Sequence, residues 1–303
     1  MKVKFGIIAD LHTDFIHDGE QRFQKFLNTC LEDGVDFCVQ LGDFITPSVT
    51  ASDPPAVLRA LEDFPLPFYH ILGNHDLDHH SKDEILAFWG QSSANLSFDA
   101  GGIHFVLLDA CHYREGETDI PYDHGNYIRS AKDALVPVLP KNSLTWLKKD
   151  LAQSKYPAVI LSHQSLTESR TGIRNPADFR AVLSDLPQKP LLCICGHEHV
   201  DRLEERDGIL YYCLNSASYY WAGSAFDHST YGEEIEKSYP RLRHVFPYRD
   251  PLFAIVSITE DAVTVKGVTS EIVGATPKSL GFQKKGLTDP VTAAIADRTL
   301  KRK

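Results

Sequence analysis

Short apolar runs, each stopped by an acidic, amide or imidazole residue, recur along this chain and set its frame. Phe5 to Ala9 is nearly continuous hydrophobicity, the pattern of a strand covered on both faces, and polarity starts abruptly with Asp10-Leu11-His12. Glu20 to Leu31 then carries Phe23, Phe26, Leu27, Cys30 and Leu31 at helical spacing with one buried face, and Gly34 closes it. Phe37 to Leu41 predicts a second strand ending at Gly42-Asp43. Pro54-Pro55 opens a helix through Leu61, since proline is welcome in a first turn. Pro67 to Leu72 predicts a third strand, ending at Gly73-Asn74-His75-Asp76. Ser81 caps a helix from Lys82 to about Trp89, with Asp83 and Glu84 in its first turn.

This β-α-β-α-β-α order predicts parallel strands joined by helical crossovers. Leu96 to Phe98 and Ile103 to Asp109 flank Gly101-Gly102 and read as a hairpin. Next come a helix at Ser143 to Leu151, a strand at Ala158 to Leu161 ending in Ser162-His163, and a helix opened by Asn175-Pro176. Leu191 to Cys195 is a further strand, ending in Gly196-His197-Glu198-His199. Val200 to Glu205 and Ile209 to Leu214 predict a hairpin about Asp207-Gly208, and Phe253 to Ile258 and Ala262 to Val268 complete the strands. Two long stretches, 111–140 and 219–250, read as irregular, and loops of that size in a compact domain are usually functional or mobile.

At 303 residues, with no internal repeat or linker, the chain is expected to form a single domain over 1–283, followed by a polar, loose tail over 284–303. A hydrophobic share of 43% and a charged share of 24% are the balance of a globular protein. The formal net charge of −10 argues against a nucleic-acid polymer or an anionic membrane as partner. A small phosphorylated substrate remains compatible, because metal ions reverse the sign locally. Six scattered cysteines without a CxxC pair, the lack of a signal peptide and of any apolar run of membrane length fit a cytoplasmic protein.

Five predicted strands end in candidate ligands: Asp10 and His12, then Asp43, then Asn74 and His75, then His163, then His197 and His199. Open α/β sheets present functional groups at the carboxyl ends of their strands, so these loops can meet in one crevice. Carboxylate, amide and imidazole donors without thiolate suit Mn, Fe, Zn or Co better than an all-oxygen Ca site or a thiolate-rich structural Zn site. Even seven of these eight donors exceed the needs of one tetrahedral ion with an open position, and two ions sharing a carboxylate accommodate them.

The blocks Asp10-x-His12, Gly42-Asp43, Gly73-Asn74-His75-Asp76, His163 and Gly196-His197-x-His199 resemble, in this order, the signature of the calcineurin-like metallophosphoesterases. Within that superfamily the chain is similar to the bacterial cyclic-nucleotide phosphodiesterase branch. The resemblance implies an α/β fold, a four-layer αββα sandwich of two mixed sheets flanked by helices. It implies one metal held by Asp10, His12, Asp43 and His199, and a second held by Asp43, Asn74, His163 and His197, with Asp43 bridging. His75 matches the family's catalytic histidine and Asp76 the acidic residue that orients it. The expected cofactors are two divalent or mixed-valence transition metal ions, Mn, Fe or Zn.

The expected reaction is hydrolysis of a phosphate ester by a hydroxide bridging the two ions, most readily a small-molecule phosphodiester such as a cyclic nucleotide or a nucleotide diphosphate compound. A phosphomonoesterase and a non-catalytic metal-binding scaffold are the alternatives. Gly196 is expected to break its strand so that His197 and His199 both turn inward. His70 reads as a core residue, His79 and His80 as surface, and His17, His112, His124 and His228 as exposed loop residues. Tyr219, Tyr220 and Trp221 either stack a ring of the substrate or pack on the core, and Arg114, Arg129 and Arg170 read as surface cations.

Overall fold

The structure is a computed structural model that describes residues 1–45, 56–129, 136–169, 171–283 and 290–302. Lys2–Ile8 (β1) leads through Gly19–Asp33 (α1) to Phe37–Gln40 (β2) and Phe68–His70 (β3). Lys82–Phe88 (α2) precedes the hairpin Leu96–Ala100 (β4) and Ile103–Leu108 (β5), and a second hairpin joins His112–Glu115 (β6) to Thr118–Pro121 (β7). After Asn126–Arg129 (α3) come Lys141–Gln153 (α4), Ala158–Ser162 (β8), Pro176–Ser184 (α5), Leu192–Cys195 (β9), Arg202–Arg206 (β10) and Ile209–Cys213 (β11). Tyr219–Trp221 (β12), Glu233–Ser238 (α6), Val245–Pro247 (β13), Ala254–Thr259 (β14), Ala262–Gly267 (β15) and Arg298–Lys301 (β16) complete the chain.

Two six-stranded sheets carry the fold, in the orders β16-β15-β14-β1-β2-β3 and β10-β11-β9-β8-β5-β4. In the first, β1, β2 and β3 run parallel and β14 to β16 antiparallel; in the second, β5, β8, β9 and β11 run parallel between two antiparallel edges. Alternate residues of β1 explain its unbroken hydrophobicity. Phe5 and Ile7 enter the core between the sheets with Phe105, Leu107, Val159, Leu161 and Ile194, whereas Ile8 joins the outer layer with Phe23, Phe26 and Cys30 of α1. α4 and α5 cover the far sheet through Leu144, Leu147, Leu151 and Phe179. The result is the four-layer αββα arrangement. Phe5, Phe37, Phe98 and Phe105 interlock across the middle with ring centroids 5.0–5.3 Å apart.

Gly34 closes α1 in the left-handed region at φ 62°, and Ser81 caps α2 in a reciprocal capping box with Glu84. Asn175 precedes α5 but its side chain does not cap it, and bonds both backbone groups of Leu139 instead. Elsewhere the structure differs from the pattern expected of the sequence. Pro54-Pro55 lies outside the described residues, and Ala56–Leu61 is a 3-10 helix, the usual form of so short a piece. The stretch 111–140 holds the β6–β7 hairpin, whose Gly116 turn at φ 59° was hidden in a polar run. The stretch 219–250 holds the two-stranded ribbon β12–β13. The expected loose tail is tied down over 290–302. β16 pairs with β15, Ala293 and Ile295 are buried, Asn215 Nδ2 donates to the carbonyl of Thr292 at 2.8 Å, and Arg298 bonds Asp201 at 2.8 Å.

One polar clamp joins the hairpin to a helix: His104 on β5 is flanked by Asp99 at 2.7 Å and Asp150 of α4 at 2.9 Å. The bond to Asp150, with Asp99 adding to it, raises the ring above its ordinary 6.5 despite burial. A raised folded-state value means that the stabilisation is complete below 6.5 and fades as pH rises through the folded value. His104→Gln is therefore expected to cost about 1–2 kcal/mol near pH 6 and much less near pH 9, read from urea unfolding at both values. An equal loss at both would show that the imidazolium contributes nothing.

Candidate metal centre

The parallel strands β1, β2 and β3 of one sheet and β8 and β9 of the other deliver their carboxyl ends to a common rim. Asp10 and His12 follow β1, Asp43 follows β2, Asn74 and His75 follow β3, His163 follows β8, and His197 and His199 follow β9. Five of these residues leave their strands in the left-handed region: Asp10 (φ 51°), His12 (49°), Asp43 (51°), His197 (68°) and His199 (54°). That conformation costs a non-glycine residue roughly 1–2 kcal/mol, so neighbouring bonds must hold it. Asp10 N donates to the Gly42 carbonyl and His12 N to the Asp43 carbonyl, both at 3.0 Å. The Asp10 carboxylate accepts the His197 N–H at 2.9 Å, and Ser216 Oγ donates to the Asp10 carbonyl at 2.9 Å. Strain of this kind persists where the surroundings over-determine it. The turn inward is thus made by His197 and His199 themselves, not by Gly196 as expected. Gly196 supplies room: a Cβ there would lie 2.6 Å from Asp10 Oδ2, and one on Gly73 would lie 2.2 Å from Asp43 Oδ1.

The side chains form two groups. Asp10, His12 and His199 each bring one ligand atom within 4.8 Å of the others, and Asp43, His163 and His197 do the same. Asp43 Oδ2 reaches toward both groups, 3.2 Å from His163 Nε2 and 3.9 Å from His12 Nε2. Asn74 Oδ1 also lies 3.2 Å from His163 Nε2.

Proton placement shows what these groups demand. His163 Nδ1 sits 2.8 Å from the Leu41 carbonyl and His199 Nδ1 sits 2.8 Å from the Tyr219 carbonyl. A carbonyl only accepts, so each Nδ1 carries a proton and Nε2 is the nitrogen that faces inward. His163 Nε2 then faces Asp43, and His199 Nε2 faces Asp10 Oδ1 at 3.3 Å. Lone pairs and carboxylate oxygens at these distances repel unless positive charge lies among them. Burial lowers the pKa of His163, yet Asp43 beside it pushes the ring up to about 10. The site recruits positive charge, and a cation supplies it as well as a proton does. His12 and His197 are pushed down to about 3, chiefly by burial, and stay neutral. Burial opposes ionisation of Asp10 and Asp43, but His199 and His163 respectively hold them below the usual carboxylate range. Deprotonated donors whose far nitrogens are fixed by backbone carbonyls are what a transition metal requires. The residues fit a pair of such ions.

The expectation for Asp76 does not survive. Its carboxylate is buried and accepts the N–H groups of Gly73 (2.8 Å), Phe44 (2.9 Å), Asp43 (3.0 Å) and Ile45 (3.0 Å). It shapes the loop that presents Asp43. Burial and the Asp43 charge raise its pKa to about 8 against the pull of those donors. His75 is bonded instead to Asp78, Nδ1 to Oδ2 at 2.8 Å. His75–Leu77 is a 3-10 turn, on which residues three apart share a side and adjacent ones do not. That i+3 spacing was the overlooked signal. Burial lowers the pKa of His75, but Asp43 and Asp78 outweigh it and raise the ring to about 9.

His75, two residues of each group (His12 and His199, Asp43 and His197) and residues 219–221 line one cleft open to solvent. Tyr219 stacks on His12 with centroids 5.1 Å apart, Tyr220 is buried, and Trp221 stays 41% exposed on the wall. Tyr219 and Tyr220 therefore pack while bordering the cleft, and Trp221 is the exposed one. His80 is buried edge-on against Phe88 rather than at the surface, and Arg114 pairs with Asp119. Arg170 and the side chain of Arg129 lie outside the described residues. Sequence reasoning missed Asp78, Tyr127 and the carbonyls of Leu41 and Tyr219; a carbonyl leaves no residue-type signal.

The family model described as calcineurin-like phosphoesterase matches residues 3–201. A dimetal phosphatase from Danio rerio is 20% identical, with a TM-score of 0.63 over 89% of this chain and 98% of that one. GAP50, the anchor in the inner membrane complex of Plasmodium, is 14% identical, with a TM-score of 0.54 over 100% and 89%. The purple acid phosphatase PPD1 of yellow lupin is 11% identical, with a TM-score of 0.50 over 100% and 54%. At such identities these three likenesses concern the fold alone. No curated protein matches the chain.

Asp76→Ala would leave four buried N–H groups unpaired around the Asp43 loop. The expected cost is about 3–5 kcal/mol in urea unfolding, with Mn binding to the apo protein lost in calorimetry. A variant of unchanged stability that merely turned over slowly would restore Asp76 to a role beside His75.

Proposed function

The chain belongs to the calcineurin-like phosphoesterase family and is a metal-dependent phosphoesterase, and from that premise we propose that it hydrolyses small-molecule phosphodiesters, cyclic nucleotides or nucleotide diphosphate compounds among them. The family uses a dinuclear metal centre. In this reading Asp10, His12, Asp43 and His199 hold one ion and Asp43, Asn74, His163 and His197 the other. The observation that carries it is the pair of donor groups with Asp43 Oδ2 reaching toward both, at 3.2 and 3.9 Å.

Ions held by these residues would supply charge neutralisation at the phosphoryl group and activation of water as nucleophile. The chain's own residues do the rest. Asn74 contributes an amide oxygen, which adds a ligand without adding negative charge. His75, at the mouth of the cleft with its side chain 36% exposed, is placed to give a proton to the departing oxygen. Asp78 holds the ring by Nδ1, which leaves Nε2 as the donor toward substrate. The net charge of −10 disfavours a polyanionic chain. All six cysteines are unpaired and buried, which fits a reducing, cytoplasmic compartment. Among the described residues no helix is long and apolar enough to cross a membrane.

With Mn, bis-p-nitrophenyl phosphate is expected to turn over faster than p-nitrophenyl phosphate, and a chelator should abolish both. His75→Ala should lower kcat by about 10²–10⁴-fold. Faster monoester hydrolysis would replace the diesterase with a phosphomonoesterase, and inactivity with Mn, Fe, Zn and Co alike would favour a scaffold.

A further inference from the structure

We propose that Asp78 and Tyr127 form a positioning pair that sets the proton donor and a metal ligand from one carboxylate, a proposal that rests on the phosphoesterase reading above. The two oxygens of Asp78 are divided between the two tasks: Oδ2 lies 2.8 Å from His75 Nδ1, and Oδ1 accepts the Tyr127 hydroxyl at 2.6 Å. The hydroxyl has one proton, and the carboxylate takes it. Its lone pairs are then left to the Asn74 amide, whose Nδ2 donates to Tyr127 Oη at 3.3 Å. An amide whose NH₂ is held on one side must present its oxygen on the other. Asn74 Oδ1 indeed faces the inner group, 3.2 Å from His163 Nε2. The opposite amide orientation would aim N–H donors at the ion and abolish the ligand.

The pair is built into the fold. Asp78 closes the 3-10 turn that carries His75, with its N–H on the His75 carbonyl. Tyr127 comes from α3, and the segment leading to it is docked on that turn: Gly125 N donates to the Leu77 carbonyl at 2.8 Å and His124 N to the His80 carbonyl at 3.1 Å. Tyr127 is buried and stacks on Tyr122 with centroids 4.3 Å apart, so its hydroxyl is held rather than free to rotate away. A contact of this kind around a ligand is worth 10–100-fold in affinity or activity.

The test uses Asp78→Ala, and Tyr127→Phe, which keeps the ring packing and removes only the hydroxyl. Thermal melts establish that each variant folds. For Asp78→Ala, kcat should fall about 10²-fold on diphenyl phosphate, whose phenolate leaves poorly, and only about tenfold or less on bis-p-nitrophenyl phosphate, which needs no proton donor, with KM little changed. For Tyr127→Phe, the weaker of two Mn-binding steps in calorimetry of the apo protein should weaken by about 10–100-fold. Equal losses on the two esters would overturn the role of Asp78, and an unchanged Mn isotherm would overturn that of Tyr127. Wild-type protein inactive on both esters would instead sink the phosphoesterase reading, while the Mn isotherms still judge Tyr127.

Discussion

Unshared electron pairs converging on one rim, with positive charge needed among them, are what the rest of this molecule is arranged around. Asp10 and Asp43 are buried carboxylates, and His163 and His199 turn Nε2 toward them because backbone carbonyls hold their other ring nitrogens as donors. Left as it stands, such a cluster is unfavourable in a medium of low dielectric. The Asp43 carboxylate, which outweighs burial to raise His163 to about 10, expresses the same demand for positive charge. Cations meet it equally well, and a site selected to hold them has no reason to remove the frustration with a lysine or arginine.

The demand explains why local rules are broken where they are. Five candidate ligands adopt a backbone conformation that most residues avoid, and glycines stand where neighbouring carboxylates pass too close for a Cβ. The left-handed turns swing the side chains across the rim, and bonds between the sheets hold the turns in place. Asp76 is part of this support: four N–H groups of the ligand loops converge on one buried carboxylate. The two sheets in turn have to align their parallel strands, which the interlocking phenylalanines between them enforce.

The same fold is shared with a protein described as an anchor as well as with phosphatases, so fold alone does not decide chemistry. Here two groups of candidate ligands, His75 at the mouth and Asp78 bonded behind it share one rim, and Trp221 is exposed on the wall of the cleft.

The strands, most helices and the residues that converge on the rim were legible in the sequence, because burial on both faces of a strand writes itself as a continuous apolar run and a candidate ligand as an abrupt polar stop. Family order then told which stops belong together. Other features depended on atoms with no such signature. Asp76 and Asp78 are chemically identical in sequence, and only the pitch of a 3-10 turn decided that the second, not the first, holds His75. Tyr127 sits in a stretch that reads as irregular loop, and its hydroxyl acquired meaning only when docking placed it between Asp78 and Asn74. The tail from 290 reads as polar chain, yet long-range bonds from Asn215 and Asp201 fix it. Sequence determined which chemistry was available at each strand end. Tertiary structure decided which groups share a hydrogen bond, since contacts between distant segments, and the proton direction each one imposes, are set by packing rather than by residue type.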